Sequence, residues 1–295
     1  AADGRPVLAR ALSDAQLQRV AREVLARCDA QDGLADGLVQ DALACRIDTA
    51  TLQCPAGAPP GSGDDSCLSP PQSRALAEVM AGPRNSRGAL YFGWPWDPGI
   101  ADAGWRNWTL GTATAGPPNA RHVTLMAGAL GHEFVTPPDP SLSTLNFDFE
   151  RDPARMQAFH AVYDTADDVK LDGFRRRGGR LMFFHGTADP IFSARELVDY
   201  QQRVNAQHGA DAAAGFVRSF LVPGMGHCAG GPATDAFDGL SALVRWVEQG
   251  QAPDRVEARG SGVLPATLAR PLCPWPQQAR YTGGDTSASA SFACR

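Results

Sequence analysis

The sequence predicts an α/β domain built around a doubly wound parallel sheet, and three observations predict it. Two short apolar runs, Arg180-Leu181-Met182-Phe183-Phe184-His185-Gly186 and Phe216 to Val222, are stopped by Gly and by Pro223-Gly224, the pattern of buried parallel strands. Stretches of helical period follow each run, at 193–207 and 237–249, so the order is strand, helix, strand, helix. The chain has 295 residues, 43% hydrophobic and 20% charged, which is enough apolar material for a sizeable core.

From the N-terminus, residues 14–28 read as an amphipathic helix. Ser13 and Gln16 form a capping-box pattern, and Leu17, Val20, Val24, Leu25 and Cys28 recur at helical spacing before a run of Asp-Gly turns. Residues 54–70, rich in Pro, Gly and Ser, predict a loop, and a short helix is expected around Gln72 to Met80. The stretch from Gly82 to Pro140 (GWPWDPG, GWRNWTLG, AGPPNARH, VTPPDP) has no long periodic element and predicts a loop-dominated insertion. The register changes near Asp167. Ser193, with Glu196 three places on, opens the helix at 193–207. In the last helix Leu240, Leu243, Val244 and Val247 share a face, and Gly250 closes it.

Charge and hydropathy exclude two classes of partner. With 27 Lys+Arg against 32 Asp+Glu the net charge is −5, without the basic excess of a phosphate-backbone binder. No run approaches the roughly 18 apolar residues of a membrane span. The first residues lack the charged-then-apolar order of a signal peptide, so a targeting signal is expected to have been removed. Six of the seven cysteines fall into three neighbouring pairs 17, 13 and 21 residues apart, none at zinc-site spacing. They read as three local disulfides in a secreted or periplasmic protein; the other reading is buried thiols in a cytosolic one. Cys228 is left over.

In open α/β sheets functional groups sit just past the carboxyl ends of the strands. Asp189 follows the first strand and His227 the second, in the chain order Ser…Asp…His of α/β-hydrolases. A histidine must take a proton from the nucleophile and return it to the leaving group, and the acid fixes its tautomer. Taken singly, Asp189 reads as a turn residue and His227 as a histidine of a Gly-rich loop; jointly and in order they favour the catalytic assignment. His185, at the strand end, is expected to order the Asp189 turn. No serine stands in G-x-S-x-G. The nucleophile is therefore expected upstream of Ala1, and the chain reads as the C-terminal part of a larger enzyme, inactive by itself. Asp29, Asp32 and Asp36 crowd three carboxylates into eight residues between Gly turns. That set suits calcium, with the carbonyls of Leu34 and Leu38 completing the shell, or else it forms two Asp-Gly turns after a helix.

Four motifs together resemble the tannase and feruloyl esterase family. They are Cys28-Asp29-x-x-Asp32-Gly33-x-x-Asp36-Gly37, Gly178 to Asp189, Val222-Pro223-Gly224-Met225-Gly226-His227-Cys228-Ala229-Gly230-Gly231-Pro232, and Arg270-Pro271-Leu272-Cys273-Pro274 to Tyr281. The resemblance runs from about Val7 to Cys294. It implies a secreted serine esterase with the C-terminal portion of an α/β-hydrolase sheet and a large loop-rich lid: residues 1–27 lead into the lid, 28–166 form it, and 167–295 belong to the catalytic domain. It implies that Asp189 and His227 are the triad's acid and base, and that Asp29, Asp32, Leu34, Asp36 and Leu38 bind a structural calcium ion. It further implies disulfides Cys28–Cys45, Cys54–Cys67 and Cys273–Cys294, and a bond from Cys228 to a cysteine beside the serine, on a segment or partner chain outside these residues. The implied substrates are small aromatic acid esters of feruloyl, galloyl or mono-terephthaloyl type. Among Trp94, Trp96, Trp105 and Trp108, Trp108 is the preferred ring contact and at least half are expected in the lid core. Arg121 is a candidate for a substrate carboxylate, its alternative being a solvated loop arginine. A reading of another class is a catalytically inert calcium-binding extracellular module derived from the same fold.

Overall fold

The structure, a computed structural model, describes residues 6–57, 67–165 and 168–295. These divide into two compact units, one drawn from Ala1–Val20, Asp48–Trp94 and Ala103–Asp167, the other from Ala21–Ile47, Pro95–Asp102 and Asp168–Arg295. The sequence placed 28–47 with the lid; in the structure this segment belongs to the unit that carries Asp189 and His227.

Helix α1 (Asp14–Cys28) opens on the expected box: Gln16 N–H donates to Ser13 Oγ at 3.2 Å and Ser13 N–H to Gln16 Oε1 at 2.9 Å. Its buried stripe is Leu17, Val20, Ala21, Val24 and Cys28. In the first unit follow α2 (Pro70–Ala81), the small hairpin β1 (Arg84–Asn85) and β2 (Gly88–Ala89), and three short helices, α3 (Ala103–Thr109), α4 (Arg121–Ala129) and α5 (Gln157–Tyr163). Ser69 caps α2 with a complete capping box to Gln72. Cys54 and Cys67 are bonded; residues 58–66 of the expected loop between them lie outside the described residues. The helices α3 and α4 are absent from the sequence reading. They span seven and nine residues, and α4 buries none of its side chains, so neither leaves a periodic apolar trace.

The second unit contains α6 (Asp172–Arg176), β3 (Leu181–Gly186), α7 (Ala194–His208), α8 (Ala210–Ala214), β4 (Val217–Val222), β5 (Ala236–Phe237), α9 (Gly239–Gln249), β6 (Val256–Arg259), β7 (Ala269–Leu272), β8 (Ala279–Tyr281) and β9 (Phe292–Cys294). Strands β3 and β4 pair in parallel from Leu181 opposite Val217 to Gly186 opposite Val222, joined through α7 and α8. Strands β5, β6 and β7 form an antiparallel sheet, and β8 pairs with β9. The core gathers Phe220, Val222, Met225, Ala242, Val256 and Leu272, with Phe184 stacked on Phe220 at 5.0 Å. Helix α7 is capped by Ser193 Oγ, which accepts from Arg195 N–H at 3.2 Å.

Helix α9 stands where expected. Ala242 and Trp246 face inward, while Leu240 is 73% exposed and Val247 56%. Trp246 buries more apolar area than any aliphatic residue on the opposite face, and the Arg180 and Arg218 guanidiniums lie 5.8 Å from its ring. Disulfides Cys28–Cys45 and Cys273–Cys294 also close within this unit. Among the described residues no helix is long and apolar enough to cross a membrane.

Candidate active site

Both strands of the parallel pair end in turns that fold onto one another. Thr187 N–H donates to the Val222 carbonyl at 3.1 Å and Ala188 N–H to the Met225 carbonyl at 3.0 Å. Gly186 is required at this crossing, because a Cβ there would lie 2.1 Å from the Met225 carbonyl oxygen. The turn after β4 passes through Gly224 at φ 75°, where a Cβ would meet the Pro232 carbonyl at 2.1 Å.

This crossing brings Asp189 and His227, 38 residues apart, to 3.0 Å between Oδ2 and Nδ1. Asp189 is 5% exposed, and its Oδ1 accepts from Ile191 N–H at 2.7 Å and Phe192 N–H at 3.2 Å. One carboxylate oxygen is thus fixed by its own turn and the other faces the imidazole. With Nδ1 as the donor, Nε2 is the proton-accepting nitrogen of the neutral ring. The His227 side chain is 34% exposed, so the ring is held on one side and open on another. His185 plays the ordering part expected of it: its Nε2 bonds the Phe192 carbonyl at 2.9 Å. The Phe192 ring in turn lies 5.7 Å from that of His227. Cys228, next in the chain, is exposed, outside any disulfide, and held at φ 66°, a backbone region unusual for a non-glycine residue.

In the same unit the loop 29–38 wraps its own carboxylates. Asp29 accepts from Asp36 N–H at 3.2 Å and Gly37 N–H at 2.9 Å, Asp32 Oδ1 from Leu34 N–H at 3.0 Å, and Asp36 Oδ1 from Leu38 N–H at 3.1 Å. Asp32 Oδ2 is buried and has no hydrogen-bond partner. Burial, with the charges of Asp36 and Asp29, pushes the Asp32 carboxyl up to about 6, and burial raises Asp29 as well. Buried, mutually repelling carboxylates with an orphaned oxygen are a donor set that fits a hard cation. Among the described residues no three His, Cys, Asp or Glu side chains converge as a metal centre by themselves, so the Leu34 and Leu38 carbonyls would have to complete the shell. Arg270, missed in the sequence, shares the third carboxylate: it is 1% exposed, donates through Nε and Nη2 to Asp36 Oδ2, and lies 4.3 Å from the Phe292 ring centre. The two residues stand 234 apart, and nothing in the linear sequence pairs them.

Trp108 and Arg121 lie in the other unit. They do come together: the Arg121 guanidinium is 5.5 Å from the Trp108 ring centre, and His122, whose sequence context was uninformative, packs edge-on to the same ring at 5.5 Å. Trp108 is half-buried and Arg121 exposed at the start of α4. Trp96 and Trp105 are core residues.

Parallel strands whose carboxyl-end turns present an acid and a histidine define the late part of an α/β-hydrolase. The solved feruloyl esterase B from Aspergillus oryzae superimposes with a TM-score of 0.78 over 96% of this chain and 57% of that one, at 22% identity. The family model described as tannase and feruloyl esterase matches residues 3–295, and the chain belongs to that family, whose members are carboxylic ester hydrolases. It is 41% identical over 327 residues to the mono(2-hydroxyethyl) terephthalate hydrolase of Piscinibacter sakaiensis, covering 99% of this chain and 54% of that protein. It is also 34% identical over 337 residues to an uncharacterised esterase of Xanthomonas campestris, covering 97% and 55%. The chain thus spans about half the length of the curated relatives it matches.

Proposed function

We propose that these residues supply the base and orienting acid of a serine esterase that cleaves small aromatic acid esters of feruloyl, galloyl or mono-terephthaloyl type. The observation that carries the reading is the 3.0 Å contact between Asp189 Oδ2 and His227 Nδ1 at the ends of two adjacent parallel strands. His227 Nε2 takes the proton of a serine hydroxyl as it attacks the ester carbonyl, then returns it to the departing alkoxide. In the second half it deprotonates the water that releases the acid, while Asp189 stabilises the imidazolium throughout.

No serine of this chain stands in a G-x-S-x-G elbow. The nucleophile comes from a segment or partner chain outside these 295 residues, joined through the exposed Cys228 beside the base, and turnover requires that part. Trp108 offers its face to the aromatic acyl group and Arg121 a fork for an acyl carboxylate. Asp29, Asp32 and Asp36 with the Leu34 and Leu38 carbonyls hold a structural calcium ion, supported by the orphaned Asp32 oxygen. The three disulfides fit secretion or a periplasmic location.

Hydrolysis of methyl ferulate by the full-length protein is expected to vanish in His227→Ala; undiminished turnover overturns the assignment. Non-reducing mass spectrometry of native protein is expected to find Cys228 bonded to a peptide bearing a serine elbow. A lone chain with a free or capped Cys228, and no hydrolysis, would instead identify an inert calcium-binding module.

A further inference from the structure

The segment Pro95–Asp102 belongs to the unit of β3 and β4 although the chain on either side of it belongs to the other. It carries Asp97, a carboxylate 2% exposed. Asp97 Oδ1 accepts from Gly99 N–H at 2.7 Å, and Oδ2 accepts from Thr187 Oγ1 at 2.5 Å and from Gly224 N–H at 3.1 Å. Thr187 is the first residue after β3 and stands two before Asp189; Gly224 is the second after β4 and stands three before His227. Gly224 N–H also reaches Thr187 Oγ1 at 3.1 Å. One buried carboxylate, 90 and 127 residues distant in sequence, therefore holds both turns that deliver the acid and the imidazole.

The choice of residue is informative. Burial raises the Asp97 carboxyl above the usual carboxylate range, and the partners that pull it back are a hydroxyl and two backbone amides, not a cation. An apolar residue would fill the space without that cost but would leave the buried Gly224 and Gly99 amides with fewer acceptors. What the carboxylate adds is two acceptor oxygens able to join three donors from separate segments.

We propose that Asp97 is a positioning residue for the Asp189–His227 pair, clipping the turn after β3 to the turn after β4 so that carboxylate and imidazole stay at hydrogen-bond distance. The inference rests on reading that pair as the acid and base of an esterase. Asp97→Asn keeps the shape but turns an amino group toward at least one backbone N–H. Thr187→Val removes the bridging hydroxyl at constant shape, and Thr187→Ser restores it.

The test uses the full-length protein with whichever of methyl ferulate, methyl gallate and mono(2-hydroxyethyl) terephthalate it turns over fastest. Asp97→Asn and Thr187→Val are expected to lower kcat about tenfold to a hundredfold with KM within about twofold, since displacements near 1 Å can cost about that much. Thr187→Ser is expected to stay within about threefold of the unsubstituted rate, as its hydroxyl still bridges. Amide exchange at 187–189 and 224–227 should quicken at least about tenfold in Asp97→Asn, and this can be read even where no ester turns over. Unchanged kcat in Thr187→Val overturns the proposal, and that variant decides the matter if Asp97→Asn does not fold. If the unsubstituted protein is inert toward all three ester types while the exchange still quickens, the esterase reading fails and the clip stands. Inertness with unchanged exchange removes both.

Discussion

The two units place their chemistry-bearing side chains on opposite kinds of support. Asp189 and His227 stand at the ends of strands packed on a core in which Phe220, Val222 and Ala258 are wholly buried. Trp108 and Arg121 stand on helices of seven and nine residues, the second of which buries none of its side chains. A proton relay of the kind proposed for this pair tolerates displacements of only tenths of an ångström, so it belongs on the rigid support. A surface that contacts the variable part of a substrate can sit on elements that the sheet does not constrain.

The largest effect should come from the rigid side. Phe220→Ala, which removes a fully buried ring stacked on Phe184, is expected to cost about 3–5 kcal/mol in denaturant unfolding. A loss below about 1 kcal/mol would mean that this core does not hold the site rigid. Next is the cation: at a free calcium concentration about a hundredfold above Kd, binding stabilises by about 2.7 kcal/mol, so a chelator should lower the melting temperature by several degrees. No shift in excess chelator removes the metal assignment. On the other unit, Trp108→Ala is expected to raise KM for an aromatic ester about tenfold, near 1.4 kcal/mol, with kcat within about threefold. A fall in kcat with unchanged KM would place Trp108 with the relay.

The smallest effect is a difference in acid response. Arg151, with Arg155, holds the buried Asp152 of the first unit well below the usual carboxylate range, whereas burial holds Asp97 of the second above it. A lowered folded pKa contributes stability that is present above the ordinary value near 3.9 and lost as pH falls. A raised one contributes stability present below that value and lost as pH rises through the folded pKa. Hydrogen exchange measured on acidification below about pH 4 should therefore show residues 139–156 losing protection before residues 187–226. Parallel loss in both would remove the distinction.

The same division governs what could be read from the amino-acid order. Strands β3 and β4, helices α1 and α7, and the Asp189 and His227 turns were legible because local pattern and packing agree there: apolar runs end in glycine, and caps precede periodic stretches. Helices α3 and α4 left no trace because they bury little. The aliphatic face of α9 is legible from its spacing, but spacing alone does not say that the helix buries Trp246 and Ala242 instead. Asp97 and the Arg270–Asp36 pair were invisible for another reason: their partners lie 90 or more residues away, and a buried carboxylate before Pro98 looks in sequence like any Asp-Pro turn.

The backbone crossing at Gly186 has a consequence for engineering. With no room for even a methyl group beside the Met225 carbonyl at Gly186 or the Pro232 carbonyl at Gly224, a library that randomises these two glycines would consist mostly of molecules whose two turns have been pushed apart. Diversity aimed at new acyl groups is better spent on the exposed positions of α4, which buries none of its side chains.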